Sequence, residues 1–272
     1  MPWLLFGDCL KTNTRSSRSK LAMSGLPSLK NHSSPSFTHP YYPASATGIS
    51  RPYRRMSSTR PSPDPTFITL SAYDQGSAAY AEKSKDRSPL NRLHSRFCGH
   101  LRSGTQVLEL GCGAGHDAVE LSTRGLSVIG FDLSRGLLTE AHRHVSLGGY
   151  LVQGDARALP FGRDSFAGIW SCASLLHVPK ADIGHVLTDA FRILVGGGVL
   201  FTSMSEGNQE GEVAVDADGF GRRLYFYYRE DDWAESVSAA GFDILEHHVQ
   251  RINVPLNPGS TGWIETFARK PE

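Results

Sequence analysis

Three glycines at alternate positions, Gly111, Gly113 and Gly115, follow an apolar run, Val107-Leu108-Glu109-Leu110, that carries one acid. An apolar run of strand length that breaks into glycines and resumes at His116-Asp117-Ala118-Val119-Glu120-Leu121 predicts strand, tight turn and helix. Such a turn brings backbone N–H groups and a helix N-terminus close to a ligand, because glycine has no Cβ to hold the ligand off. An acid inside an otherwise apolar strand needs a partner that donates to it or offsets its charge. Two further apolar runs end in Asp132 and Asp155, and His177 comes just past a fourth.

The elements that must position these residues follow from the apolar pattern. Tyr73-Asp74 and Ser77 to Lys83, with Tyr80 inside, suggest a short helix, and Leu90, Leu93, Phe97 and Leu101 recur at helical spacing. The folded part is expected to begin near Ser71. After the glycine turn, a helix closes at Gly125. Ser127 to Asp132 is a second strand, Leu137 to Val145 a helix closed by Gly148-Gly149, and Tyr150 to Asp155 a third strand. Ala167 to Cys172 is a fourth, Ile183 to Leu194 forms a helical stripe, and Gly196-Gly197-Gly198 precedes a fifth strand, Val199 to Met204. Ser205 to Gly219 reads as a loop or lid. Glu230 to Ala240 is a helix ended by Gly241, and Phe242 to Val249 pairs antiparallel with Trp263 to Ala268 because only a loop joins them. This alternation predicts an α/β fold: a single Rossmann-like, seven-stranded, mostly parallel sheet with one antiparallel strand and helices on both faces.

Composition bounds the partners. At 272 residues with net charge +1, the chain has no overall basic field that would favour nucleic acid or a membrane surface. No apolar run approaches the roughly 20 residues of a membrane helix. Cys9, Cys98, Cys112 and Cys172 form no CxxC pair or zinc-ligand spacing and read as free thiols of a cytoplasmic protein. Residues 1–65 differ from the rest, rich in Ser, Pro and Arg, with Asp8 and Asp64 the only acids. They read as a disordered arm whose composition resembles an organellar transit peptide, with a dispensable tail or an over-long reading frame starting at Met23 or Met56 as alternatives. Residues 66–272 are the folded domain.

From about residue 71 to 270 the chain resembles the class I S-adenosylmethionine-dependent methyltransferases of the small-molecule, methyltransferase-domain type. The resemblance rests on Glu109 with Gly111, Gly113 and Gly115, on Asp132, and on Gly154-Asp155-Ala156. It implies that the glycine turn lies against the methionine part of adenosylmethionine with Glu109 steering the amino group. It further implies that Asp132, followed by Leu133, accepts from the ribose hydroxyls, that Asp155 and the Ala156 N–H meet the adenine, and that Ser171 sits beside the methyl donor. Tyr73 and Tyr80 match tyrosines that close over the methionine carboxylate in relatives. The dinucleotide fingerprint G-x-G-x-x-G is the rival, but its third glycine would fall at 116, which is histidine. One departure is Val195, where relatives carry proline.

Each residue also has a plainer reading. Glu109 can answer a buried cation, Asp132 and Asp155 can cap helices, and the two tyrosines can simply pack. Cys112 and Cys172 read as small buried side chains. His177 is the best candidate for a general base, or else it hydrogen-bonds a loop carbonyl. Glu206, Arg222, Tyr225 and Tyr228, with His177, are candidates to line the acceptor pocket, the alternative being that Leu224 to Tyr228 is a buried strand. The expected function is methyl transfer to an O, N or S atom of a small molecule, with S-adenosyl-L-homocysteine as product and no metal. A non-catalytic adenosylmethionine-binding regulator is the alternative. The oligomeric state is not readable.

Overall fold

The computed structural model describes residues 64–144, 150–208, 212–215, 221–251 and 259–272. Helices α1 (Thr66–Gln75), α2 (Ser77–Lys83) and α3 (Asn91–Gly99) come first. Then β1 (Gln106–Leu110), α4 (His116–Thr123), β2 (Ser127–Asp132), α5 (Arg135–His144) and β3 (Tyr150–Gln153) alternate. β4 (Phe166–Cys172), α6 (Lys180–Ile193) and β5 (Leu194–Glu206) repeat the unit, followed by a ribbon of β6 (Glu212–Val215) and β7 (Arg223–Phe226). α7 (Glu230–Ala239), β8 (Asp243–Arg251) and β9 (Gly262–Arg269) close the chain.

The sheet order is β3-β2-β1-β4-β5-β9-β8. β1 pairs parallel with both β2 and β4, while β9 runs antiparallel to both of its neighbours. The expected mostly parallel seven-stranded sheet with one antiparallel strand is therefore what forms. The order in which strands are added reverses between β1 and β4, the switch point where open α/β sheets leave a crevice for ligands.

Strand periodicity sorts the core into two layers. Leu108, Ile169 and Leu200 face one side, where Ile183 and Val186 of α6 and Trp233 of α7 cover them. Val107, Trp170 and Phe201 face the other, packed with Leu93 and Phe97 of α3 and Leu121 of α4. Each such buried side chain contributes about 1.5–3 kcal/mol relative to exposure. Glu109 shares the face of Val107, which buries its carboxyl beneath α4, near Asp117.

Several expectations need correction. Helix α1 begins at Thr66, ahead of Ser71, and Asp64, assigned to the arm, accepts the Thr66 N–H at 2.9 Å just before it. The stretch from Ser205 is no simple loop: β5 runs on through Glu206, and β6 pairs with β7. Strand β5 begins at Leu194, straight from α6, so Val195 occupies extended structure and needs no proline turn. Gly197, with φ +73, donates its N–H to the Lys270 carbonyl at 2.9 Å. The readings of residues 1–63 and of Gly148-Gly149 lie outside the described residues.

Candidate functional site

A cleft opens at the C-terminal ends of β1, β2 and β4. Gly111, Gly113, Asp132, Leu133, Asp155 and Ala156 line its floor, and Tyr73, Tyr80 and His177 line its roof and wall.

The glycine turn is braced from within. The N–H groups of Gly111 and Cys112 both donate to the Phe131 carbonyl, at 2.7 and 3.1 Å, and that of Gly113 donates to Asp132 Oδ2 at 2.8 Å. Gly111, at φ +79, has Ser174 Oγ where a Cβ would stand, 1.8 Å away. At Gly113, φ +52, the nearest atoms to a Cβ would be Leu137 and Tyr80 carbons at 3.9 Å, so a side chain there would fill cleft space. The turn thus offers a ligand a surface bare of Cβ atoms more than a set of idle donors, because its N–H groups hold the turn together.

Asp132 also accepts from the Ser134 N–H at 2.8 Å through Oδ1. Ser134, not Asp132, caps α5, its Oγ accepting the Leu137 N–H at 3.1 Å. A carboxylate has about four acceptor sites, so each oxygen of Asp132 retains capacity toward the cleft. Burial raises its pKa above the usual range, while the Ser134 and Gly113 N–H bonds pull it back.

Asp155 is gripped by Arg157, whose Nε lies 3.1 and 3.0 Å from its two oxygens and whose backbone N–H donates to Oδ1 at 2.9 Å. Burial works against ionisation, but the Arg157 bonds prevail and hold the carboxyl below its usual range. No helix starts there, so Asp155 forms an Asx turn instead of a helix cap. Arg157 also reaches Asp64 at 2.7 Å and Asp182 at 3.4 Å, tying the start of α1 to the floor.

Glu109 does not line the cleft. It is buried behind the turn, and its Oε2 has no hydrogen-bond partner. Burial and the neighbouring Asp117 carboxylate push its pKa well up, against the pull of Arg87. The Arg expected as one reading of Glu109 exists, but it is committed to Asp117. Arg87 Nε lies 2.7 Å from Asp117 Oδ1, His94 Nε2 lies 2.9 Å from the same oxygen, and Trp170 Nε1 donates to Oδ2 at 3.1 Å.

Ser171 is buried away from the cleft, its Oγ unpartnered, and Cys172, Ala173 and Ser174 face the cleft beyond it. Ala173 holds a left-handed φ of +52, unusual for a residue with a Cβ. Burial pushes the Cys172 thiol up to about 12 and raises Cys112 too, so neither is a ready nucleophile.

His177 sits on the cleft wall with Nδ1 2.6 Å from the Leu224 carbonyl and Nε2 2.9 Å from Tyr73 Oη. Both ring nitrogens are engaged, and burial lowers its pKa to about 4. Tyr80 stands edge-on to Tyr73 at 5.0 Å, and both tyrosines line the cleft. Of the acceptor-pocket candidates other than His177, none lines it. Glu206 is buried and accepts from Thr261 at 2.6 Å and Arg251 at 3.1 Å, while Arg222 is exposed. Tyr225 packs under the His177 ring at 4.9 Å, and Tyr228 packs on Trp233 at 5.1 Å. Leu224 to Phe226 is the buried strand β7, the plainer of the two readings.

Sequence reasoning missed Arg157, Asp117 with Arg87, Asp74 and Ser174. Only Arg157 left a signal, a cation two residues after an acid. Asp74 accepts from Ser134 Oγ at 2.6 Å and the Gly136 N–H at 2.9 Å, joining α1 to α5. Among the described residues no group of three or more His, Cys, Asp or Glu could hold a metal, and no helix is long and apolar enough to cross a membrane.

Residues 107–198 match the family described as methyltransferase domain. The chain is 31% identical over 157 residues to the methyltransferase GfsG of Streptomyces halstedii, covering 53% of this chain and 55% of that one. The chain spans about half the length of the first curated relatives it matches. Among solved structures, the [4+2]-cyclase SpnF superposes with a TM-score of 0.61 at 19% identity, covering 77% of this chain and 97% of that one. The 1,6-didemethyltoxoflavin-N1-methyltransferase of Burkholderia thailandensis, solved with 1,6-didemethyltoxoflavin and S-adenosylhomocysteine bound, gives 0.59 at 20% identity over 79% and 93%.

Proposed function

Because the chain carries a class I S-adenosylmethionine-dependent methyltransferase domain, we propose that it transfers a methyl group to an O, N or S atom of a small-molecule acceptor and releases adenosylhomocysteine. The observation that carries this reading is the convergence of the glycine turn, Asp132 and Asp155 on one cleft at the β1/β4 switch point. A relative 32% identical over 117 residues, named as the 27-O-demethylrifamycin SV methyltransferase of Amycolatopsis mediterranei, supports the acceptor class.

The residues present fit the methyl donor. Gly113 leaves room for its methionine part, and the unpartnered Glu109 Oε2 behind the turn suits the ammonium, directly or through water. Asp132 has acceptor capacity for a vicinal diol, with Leu133 beside it, and Asp155 with the Ala156 N–H matches an adenine edge. Adenosylmethionine brings its own leaving group and positive charge, so the protein's task is to align the acceptor and manage its proton.

Titration calorimetry with adenosylmethionine tests the premise, and no heat from folded protein would sink it. Glu109 adds a signature. Its raised pKa falls when an ammonium arrives, so binding releases a proton. Affinity should therefore rise with pH, by up to about tenfold per unit between the bound and free pKa values, and Glu109→Gln should flatten the profile. Release of adenosylhomocysteine on incubation with a metabolite extract, lost in Asp132→Ala, separates the enzyme from a protein that only binds.

A further inference from the structure

Arg157 is shared among three carboxylates. Its Nε–H reaches both oxygens of Asp155, and its Nη2 lies 2.6 Å from Asp155 Oδ2 and 2.7 Å from Asp64 Oδ2. The two hydrogens of that nitrogen therefore bridge Asp155, on the cleft floor, to Asp64, at the start of helix α1, which carries Tyr73 of the roof. Asp182 stands 3.4 Å from Nη1, in the first turn of α6. Helix α6 buries Ile183, Val186 and Leu187 in the core, whereas α1 buries only Thr69 and Ala72. Of the carboxylates facing Arg157 from outside its own loop, Asp64 is the one that rides on a lightly packed element.

Asp155 is left with one place for a ligand. The Arg157 backbone N–H, its Nε–H and one Nη2 hydrogen fill three of the about four acceptor places of a carboxylate. The planar guanidinium fork fixes which place stays open. How strongly that place accepts depends on how much of the guanidinium charge Asp155 holds alone. With Asp64 seated, Nη2 is divided between two anions and Asp155 keeps more of its own charge. With Asp64 gone, Arg157 neutralises Asp155 more fully and the open place weakens. Asp155 feels both influences: after burial, Arg157 draws its pKa down and the Asp64 charge pushes it up.

We propose that Arg157 is a positioning residue that couples adenine recognition by Asp155 to the seating of helix α1 through Asp64. This rests on the function proposed above, in which Asp155 meets the adenine edge. An amino group that donates to Asp155 draws charge from it and so frees the guanidinium for Asp64, and each contact strengthens the other. A base with a carbonyl oxygen at that position gains nothing, since its lone pairs meet a more negative acceptor. All four side chains are partly exposed, so solvent limits the coupling to a factor of about three to five.

Calorimetry on the full chain with S-adenosylhomocysteine and S-inosylhomocysteine, whose base carries a carbonyl oxygen in place of the amino group, tests this. Wild type should prefer the adenosyl compound, and Asp64→Asn should lower that preference about threefold to fivefold. In an Arg157→Gln background the same Asp64→Asn change should leave the preference where it was. Arg192 still holds the Phe161 and Leu159 carbonyls there, at 2.7 and 3.2 Å, so the loop keeps its seat. Hydrogen exchange reads the reciprocal effect: at equal saturation the adenosyl compound should slow the α1 amides more than the inosyl compound does, and Arg157→Gln should abolish the difference. If Asp64→Asn weakened both compounds alike, Asp64 would be a plain anchor of the helix and the coupling would be overturned. An Asp64 effect that persists without Arg157 overturns it too. A wild type that binds both compounds equally, with Asp155→Ala no different, would remove Asp155 from adenine recognition and the coupling with it, while methyl transfer stands. No binding of either compound by folded protein would overturn the proposed function itself, and the coupling with it.

Discussion

The floor and the roof of the cleft are held by different physics. Beneath the glycine turn, Asp117 accepts from Arg87, His94 and Trp170, and all four side chains lie in or against a dry core. Above it, α1 buries only Thr69 and Ala72 and leaves Phe67 and Ile68 exposed. Polar ties hold it: Asp64 to Arg157, the Leu224 N–H to Thr69 Oγ1 at 2.9 Å, Tyr73 to His177, and Asp74 to Ser134. Buried charge that is fully paired opens only with global unfolding, whereas a helix docked by hydrogen bonds at its rim opens locally. The difference implies that the cleft can admit and release a ligand by moving its roof over a floor that stays set.

The largest expected effect lies in the floor. Asp117→Asn leaves the Arg87 charge uncompensated in the core and should cost about 3–5 kcal/mol in denaturant unfolding. The pH dependence has a definite sign. Burial raises the pKa of Asp117, but Arg87 and His94 outweigh it and hold the folded carboxyl well below 3.8. Its contribution is present above the unfolded value and is lost only as pH falls through the lower folded one. Next comes Gly111→Ala, where strained φ and the collision with Ser174 Oγ should destabilise by about 1–3 kcal/mol. A Ser174→Gly background should recover the steric part and leave the backbone part.

Asp64→Asn should change global stability by at most about 1 kcal/mol, since the Asp64–Arg157 pair is partly exposed. Hydrogen exchange should nonetheless quicken in α1 while α4 keeps its protection. If α4 loosened in step, floor and roof would be one cooperative unit. Smallest is Ala173→Gly, which removes the left-handed penalty of a Cβ at the cost of backbone freedom. Thermal unfolding should show a net gain of less than about 1 kcal/mol.

The floor was also the legible half. Each of the first three strands is a short apolar run punctuated by glycine or an acid, so β1 to β3 could be read directly, while the strand order that makes the switch point came only with the fold. Helix α1 could not, because Thr66-Phe67-Ile68-Thr69-Leu70 is β-branched and aromatic and shows no apolar stripe. A helix docked by single hydrogen bonds leaves no periodic trace. The Asp117–Arg87 pair is equally silent, since its members lie 30 residues apart and only the folded chain brings them together. The acceptor side was hard to read for a related reason: Arg222 to Tyr228 has the composition of a pocket, but the fold buries Tyr225 of β7 against His177 and, past the strand, Tyr228 against Trp233. Helix packing, in contrast, was visible in the stripe from Ile183 to Leu194.

Trp170 follows from the floor's construction. Its ring is fully buried, stacked 4.1 Å from Phe201 and 4.8 Å from His94, with Nε1 bonded to Asp117. An indole so enclosed emits at short wavelength and moves to the red when water reaches it. The protein thereby carries an optical gauge within itself: a red shift in Trp170 emission signals an opened floor, and a roof that swings freely leaves it unchanged.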